Sequence, residues 1–183
     1  MPFYFVRHPR VVYPEGNCFG ATDVPADAAH TAECAARLAA KVPQRALVVS
    51  SPLSRCTGLA AGLVRLRPDL RWCTDGRIAE MDFGCWEGVP WEQIPRSAFD
   101  AWMADFGNHA FGGATSVNTF LDRVASAWDE WSAAPVAAES GVVWVGHAGV
   151  ARALRWLAGG RRVAGLASEW PQEAIAHGEL WQL

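Results

Sequence analysis

The sequence lacks the segments that would place it in a membrane or on a nucleic acid. No apolar run approaches the roughly 18 residues of a membrane span. A basic region, apolar stretch and cleavage site are also missing from its start, so we expect no signal peptide. The net charge is −3 with histidine neutral, whereas nucleic-acid-binding proteins are usually basic. We therefore expect neither a membrane nor a nucleic acid among its partners.

The positions of the cysteines and histidines indicate neither a disulfide framework nor a metal site. The five cysteines are an odd number, are scattered, and form no CxxC pair. The histidines at positions 8, 30, 109, 147 and 177 show no metal-ligand spacing. We therefore predict no metal and no cofactor, and a reducing, cytoplasmic location fits the cysteine usage. The oligomeric state is left open, and a homodimer is compatible with the sequence.

The apolar segments predict an α/β fold. Half of the 183 residues are hydrophobic, which suits a single domain over residues 1–183. Short apolar runs without alternation indicate buried strands. These are residues 3–6, 46–50, 141–146 and, at the end, 180–183. Helical patterns lie between them, so we predict a three-layer sandwich with a mostly parallel central sheet and helices on both faces.

Two segments outside these strands matter for the argument. The region at about 76–115 is rich in Gly, Pro and Trp and reads as an irregular excursion over the active site. After it, apolar residues recur from Val117 to Trp131 on one face of a long helix, which Thr115 or Ser116 could cap.

Polar residues follow three of the predicted strands. The first strand ends on Arg7 and His8, the second leads to Arg55, and the third ends at His147. Ligands of open α/β sheets bind beyond the carboxyl ends of the strands. Arginine binds phosphate oxygens in a bidentate manner, and a helix N-terminus adds free N–H groups. Each residue alone could be structural or solvated, but together they predict an anion pocket.

The common signatures of other phosphate and hydrolase chemistries are missing. The sequence has no GxxxxGK[ST] loop, no HExxH, no GxSxG elbow, and no cysteine with an arginine six positions later. These absences leave a nucleophilic histidine as the best explanation of the pocket.

Four segments, in order, resemble the histidine phosphatase (phosphoglycerate mutase-like) superfamily. They are "FVRHP", "VVSSPLSRCTGLA", "IAEMDFGCWEG" and "VVWVGHAGVARAL". The resemblance covers essentially the whole chain. It is closest to the short branch that includes α-ribazole phosphatase, because "RHPRVVYPEGNCFGATDVP" is similar to that branch's first loop.

The resemblance implies a role for each matching residue. His8 would be the nucleophile that becomes phosphohistidine. Arg7, Arg55 and His147 would hold the phosphoryl group, and Glu80 would be the general acid. From the residues alone, three nearby carboxylates compete with Glu80 for that acid role: Asp82, Glu87 and Glu92.

The sequence departs from the family pattern at three positions. Pro9 stands where the family usually has Gly, and Thr115 where Glu is common. Pro14 occupies a position that is often Asn, and Asn17 is our candidate to replace that Asn as a substrate-binding residue. These changes bear on rate and substrate choice more than on reaction type.

Three functions are compatible with these patterns. The first is a metal-independent phosphomonoesterase of small phosphorylated metabolites, with α-ribazole 5′-phosphate as the leading substrate. The second is a phosphoglycerate mutase or a broad sugar-phosphate phosphatase, and the third is a non-catalytic phosphate-binding module. The first is favoured by Trp86, Trp91 and Trp102, which we expect near the pocket mouth, with Trp86 as the substrate-binding member.

Overall fold

In the part of the chain that the structure describes, the sheet has five strands. The computed structural model describes residues 3–173 and 175–183, so positions 1, 2 and 174 of the predicted domain lie outside the described residues. The strands are β1 (Phe3–Arg7), β2 (Leu47–Ser50), β3 (Arg71–Thr74), β4 (Val142–Gly146) and β5 (Leu180–Gln182). Their order is β3-β2-β4-β1-β5. The pairs joining the first four strands are parallel, and β5 runs antiparallel to β1.

Helices cover both faces of the sheet. They are α1 (Ala28–Ala39), α2 (Ser54–Leu66), α3 (Arg96–Ala104), α4 (Val117–Ala133), α5 (Pro135–Glu139) and α6 (Ala148–Ala158). The apolar residues of α1 and α2 share a core with one face of the sheet, and those of α4 and α6 share a core with the other. The predicted α/β sandwich with a mostly parallel sheet is therefore confirmed.

The central strands are apolar throughout because both of their faces are buried. Along β4, Val143 and Val145 pack toward α1 and α2, while Trp144 packs toward α4 and α6. Every residue of β4 is buried. On the Trp144 side, Phe3 lies edge-on to Trp144, with ring centroids 5.2 Å apart. This alternation explains why the strand signal in the sequence was a continuous apolar run.

Several elements were missed in the sequence. Strand β3 lies at the edge of the sheet and three of its four residues are exposed, so it carries no apolar run. The excursion at about 76–115 contains helix α3 and four short 3₁₀ helices: Gly76–Ile78, Gly84–Trp86, Trp91–Gln93 and Phe111–Gly113. None of the described helices combines the length and the apolar character that crossing a bilayer requires.

We predict that Ser116 is the residue that caps α4. Its side chain accepts a hydrogen bond from the Thr119 N–H at 3.2 Å. Ser116→Ala should lower the free energy of unfolding by about 1 kcal/mol, the usual cost of a lost N-cap. Thr115→Ala is the matched control, and chemical denaturation measures both variants. Equal losses in the two variants would contradict the assignment.

Candidate active site

The ends of the parallel strands bring the predicted residues together. Arg7 pairs with Gly146 in the β1–β4 register. The residues that follow, His8 and His147, therefore emerge side by side, and their ring centroids are 5.2 Å apart. Strand β2 ends one residue earlier in this register, because its last residue, Ser50, pairs with Val145. The register of the sheet thus sets the spacing of the two histidines.

These strand ends open into a cavity of about 500 Å³. Six of the residues predicted for the site line this cavity: Arg7, His8, Asn17, Arg55, Glu80 and His147. They come from five separate parts of the chain, and the fold brings them together. His8, Arg55 and His147 are buried, whereas Arg7, Asn17 and Glu80 are partly exposed.

His8 is held with one ring nitrogen fixed and the other available. Its Nδ1 lies 2.7 Å from the carbonyl oxygen of Pro9. A carbonyl can only accept, so Nδ1 carries the proton and Nε2 of the neutral ring carries the lone pair. Burial holds the pKa of His8 well below 6.5, and Arg55, His177 and Arg7 lower it further. His8 is therefore a neutral imidazole with a nucleophilic Nε2.

Arg55 is a fully buried guanidinium, with 0% of its surface exposed. It donates to the carbonyl oxygens of Gly20 at 2.6 Å and Thr22 at 2.9 Å. Its Nε donates to Nδ1 of His147 at 3.3 Å. Burial lowers the pKa of Arg55 from its ordinary value, although the group remains a cation.

The bond from Arg55 fixes the tautomer of His147. An arginine Nε–H can only donate, so Nδ1 of His147 is the acceptor and Nε2 carries the proton. That Nε2 lies 2.8 Å from Oγ of Ser51, to which it donates. Burial holds the pKa of His147 well below its ordinary value, which agrees with a neutral ring. In this arrangement His147 orients Arg55, and a direct bond to a ligand requires Nε2–H to leave Ser51.

Arg7 is anchored at one end. Its Nη1 donates to the carbonyl oxygen of Ile175 at 2.8 Å. Its Nε is buried and has no hydrogen-bond partner within residues 3–173 and 175–183. Burial lowers the pKa of Arg7, partly offset by the nearby Glu80 carboxylate. An anion in the cavity would offset the desolvation of this cation.

Glu80 sits at the N-terminus of α6. Its carboxylate accepts from the N–H of Gly149 at 2.9 Å and from the N–H of Met81 at 3.0 Å. From α4, the guanidinium of Arg123 binds the backbone that carries Glu80, through the carbonyl oxygens of Gly76, Arg77, Ala79 and Glu80. The carboxylate is thus fixed from two helices at the wall of the cavity.

The competing carboxylates do not line the cavity. Asp82 accepts from the N–H of Gly84 at 2.8 Å. The carboxylate of Glu87 accepts hydrogen bonds from backbone N–H groups, and Glu92 is exposed at the surface. Among the four, Glu80 alone is a lining residue of this cavity, which makes it our candidate for the acid.

The structure shows where the residues that depart from the family pattern lie relative to the cavity. Pro9 lacks an N–H but keeps the carbonyl that holds His8. Asn17 reaches the cavity, and its side chain donates to the carbonyl oxygen of Gly88 at 2.9 Å. Pro14 and Thr115 are not among the lining residues.

Trp86 requires a correction, because it does not line the cavity. It packs on Phe111, with ring centroids 6.0 Å apart, in a small separate core. Gly112, at φ +79°, brings its backbone so close that an added Cβ would lie 2.8 Å from the Trp86 ring. Trp91 and Trp102 do line the cavity, as expected.

Besides Trp91 and Trp102, the cavity has several lining residues that the sequence left unidentified. Seven large apolar side chains are among the lining residues and form what we call the aromatic wall: Phe83, Trp91, Trp102, Met103, Phe106, Phe120 and Trp170. Arg152 and Gln172 add polar groups to the lining. His177 packs beside His8 with ring centroids 5.1 Å apart, and its Nδ1 donates to the His8 carbonyl at 2.9 Å. The sequence signal for site residues was a position directly after a strand, and none of these residues occupies such a position.

One buried and one partly exposed arginine, two imidazoles and a carboxylate surround one cavity, an arrangement suited to binding a phosphate group. The chain belongs to the histidine phosphatase superfamily (branch 1), whose family pattern matches residues 3–174. Membership supports phosphatase activity. No curated protein shows a significant sequence match to the chain.

Solved structures agree with this fold. "Mycobacterial hydrolase 2" is 27% identical with a TM-score of 0.75, covering 99% of this chain and 80% of that one. A mycobacterial glucosyl-3-phosphoglycerate phosphatase is 27% identical with a TM-score of 0.67, covering 85% and 78%. The protein TTHB049 from Thermus thermophilus is 25% identical with a TM-score of 0.72, covering 100% and 93%.

We predict that Gly149→Ala inactivates the enzyme by displacing Glu80. An added Cβ at Gly149 would lie 2.2 Å from Oε1 of Glu80, so the carboxylate must move. We expect kcat to fall by about 10²-fold or more, the scale of a lost acid catalyst. Gly58→Ala is the control, because its Cβ would enter open space on α2. Steady-state kinetics on an alkyl phosphate measure both variants, and equal activity would contradict the placement of Glu80.

The buried neutral histidines predict acid lability. In the unfolded chain histidine binds a proton below about pH 6.5, whereas burial keeps His8 and His147 neutral in the folded protein. The unfolded state then binds more protons, so stability falls as pH drops below 6.5. Between pH 7.5 and 5.5 each histidine should cost up to about 1.4 kcal/mol. Denaturation of wild type and His8→Asn tests this, and an unchanged pH dependence in the variant would contradict it.

Proposed function

We propose that this chain is a phosphomonoesterase that works through a phosphohistidine on His8. The observation that carries the proposal is the fixed His8 ring, whose Nδ1–H is bound to Pro9 and whose Nε2 lone pair is left for attack. Arg7 and Arg55 supply positive charge beside it, in the same cavity. Phosphoryl transfer needs this combination of a positioned nucleophile and charge stabilisation.

The first chemical step transfers the phosphoryl group to the enzyme. Nε2 of His8 attacks phosphorus as the ester P–O bond breaks. The leaving oxygen takes a proton from the carboxyl group of Glu80 and departs as an alcohol. Arg7 and Arg55 stabilise the charge on the equatorial oxygens, a type of contribution that typically reaches several kcal/mol.

The second step restores the enzyme. Water attacks phosphorus, its proton returns to Glu80, and the P–N bond to His8 breaks to release phosphate. Splitting hydrolysis into two transfers replaces one difficult step by two easier ones. No step in this scheme calls for a metal, and within the described residues no group of three or more His, Cys, Asp or Glu is arranged to hold one.

The aromatic wall supports α-ribazole 5′-phosphate as the leading substrate. Trp91 lines the cavity with 38% of its surface exposed, so it offers a ring to a ligand, whereas Trp102 already stacks on Phe106 and Phe111. Stacking of a flat base on an aromatic side chain contributes about 1–3 kcal/mol. A dimethylbenzimidazole group would benefit from this surface, whereas a small polar substrate would not.

A second candidate is favoured by one cationic lining residue. Arg152, on α6, adds a positive charge to the cavity outside the predicted set. A carboxylate-bearing phosphate ester, such as the glucosyl-3-phosphoglycerate named for one structural neighbour, would suit it. A phosphoglycerate mutase and a broad sugar-phosphate phosphatase belong to the same group of candidates.

The cytoplasmic location of the protein remains a prediction.

We predict that His8→Ala abolishes turnover while the protein stays folded. The assay uses p-nitrophenyl phosphate with EDTA present, so that metal-dependent hydrolysis is suppressed. His109→Ala is the control, because His109 lies outside the cavity, and it should keep wild-type activity. A wild-type protein without activity would support a non-catalytic phosphate-binding module. Full activity in His8→Ala would overturn the phosphohistidine mechanism.

We also predict a preference for the aromatic substrate. kcat/KM for α-ribazole 5′-phosphate should exceed that for 3-phosphoglycerate by at least about tenfold, which corresponds to 1.4 kcal/mol. Trp91→Ala should erode this ratio, and Trp91→Phe should keep most of it because a stacking surface remains. A panel of phosphorylated metabolites that includes glucosyl-3-phosphoglycerate provides the comparison. A higher kcat/KM for the carboxylate-bearing esters would favour the second candidate instead.

A further inference from the structure

Glu87 is the most heavily hydrogen-bonded carboxylate near the cavity, although it does not line it. Its two oxygens accept from the backbone N–H groups of Gly20, Ala21 and Thr22 at 3.0–3.1 Å. One oxygen also accepts from the N–H of Phe83 at 3.0 Å. Three consecutive N–H groups of residues 20–22, which we call the anchor turn, therefore point at one carboxylate.

The carbonyl groups of the anchor turn bind a cation. Gly20 and Thr22 present their carbonyl oxygens to the guanidinium of Arg55, at 2.6 and 2.9 Å. The next residue, Asp23, accepts from the N–H of Ser54 at 2.7 Å and so ties the turn to the first turn of α2. The anchor turn thus lies between an anion on its N–H side and a cation on its carbonyl side.

The anchor turn packs closely against the neighbouring backbone, which restricts its position. A Cβ on Gly20 would lie 1.9 Å from the carbonyl oxygen of Met81. Burial alone would raise the pKa of Glu87, but hydrogen bonds from the turn and from Phe83 bring it below its ordinary value. The carboxylate stays charged at neutral pH and is suited to hold backbone rather than to transfer protons.

We propose that Glu87 is a positioning residue that fixes Arg55 through the anchor turn, so that the guanidinium meets the transferring phosphoryl group in the correct orientation. This inference rests on the proposed function. Without the carboxylate, three N–H groups lose their acceptor, and the two carbonyl groups that hold Arg55 lose their fixed positions. Charge stabilisation in the transition state depends on such preorganised donors.

The first test compares Glu87→Gln with Glu87→Asp. Glutamine keeps the shape, but its NH₂ cannot accept from the turn, whereas aspartate keeps the charge. We expect kcat on p-nitrophenyl phosphate to fall about 10- to 100-fold in Glu87→Gln, by analogy with residues that orient metal ligands, and to recover partly in Glu87→Asp. Glu92→Gln, an exposed carboxylate nearby, should match wild type. If Glu87→Gln does not fold, Glu87→Asp with its smaller expected loss replaces it in each assay.

The second test separates positioning from a general structural role. Glu87→Gln is combined with Arg55→Ala, and kcat/KM is measured for all four proteins. If Glu87 acts through Arg55, its loss should change kcat/KM less than twofold once Arg55 is absent. The same cycle on the affinity for orthovanadate covers the case in which the double variant turns over too slowly. An equal factor in both backgrounds would overturn the proposal.

A third readout does not depend on activity. Amide hydrogen exchange of residues 20–22 should speed up in Glu87→Gln and remain unchanged in Glu92→Gln. Inactive wild-type protein would refute the proposed function, while faster exchange in Glu87→Gln would still support the anchor. Active wild type with unchanged kcat in Glu87→Gln would refute the positioning role alone.

Discussion

The buried charge of Arg55 is the constraint on which the rest of the site depends. Removing an unpaired guanidinium from water is costly, and removing its partners leaves that cost uncompensated. Here two backbone carbonyls and the Nδ1 of His147 hold it. Within the described residues it forms no ion pair with a carboxylate. Among these residues, no neighbouring carboxylate therefore neutralises its charge, which agrees with the proposed role of Arg55 in binding an anionic phosphoryl group.

Arg55 also contributes to the state of the two histidines, whose own burial is the main cause of their lowered pKa values. Arg55 donates to His147 and so fixes its tautomer, and its charge helps to keep His8 neutral. A neutral imidazole is a nucleophile, whereas an imidazolium is not. Burial of the site therefore also keeps His8 in the neutral state that the proposed attack requires. The low dielectric of the site strengthens both effects.

How much of this could be predicted from the sequence depends on where the signal lies. His8, Arg55 and His147 were predictable because each follows an apolar strand, and parallel strands end at one edge of a sheet. Strand β3 was not, because an exposed edge strand leaves no apolar run. The placement of Trp86 depends on the backbone of Gly112 reaching its ring, and no local pattern records that contact. The hydrogen bonds of Glu87 were also hidden, because its partners in the anchor turn are backbone N–H groups 65 or more residues earlier in the chain.

The most direct measurement of the central claim is the site of phosphorylation on His8. Because Nδ1–H is bound to the Pro9 carbonyl, only Nε2 can attack phosphorus. Enzyme turning over p-nitrophenyl phosphate is denatured in alkali, which preserves phosphohistidine, and the isolated peptide is analysed by ³¹P and ¹⁵N NMR. The account predicts a base-stable, acid-labile phosphoryl group on Nε2 of His8. A phosphoryl group on Nδ1, or on any other residue, would contradict it.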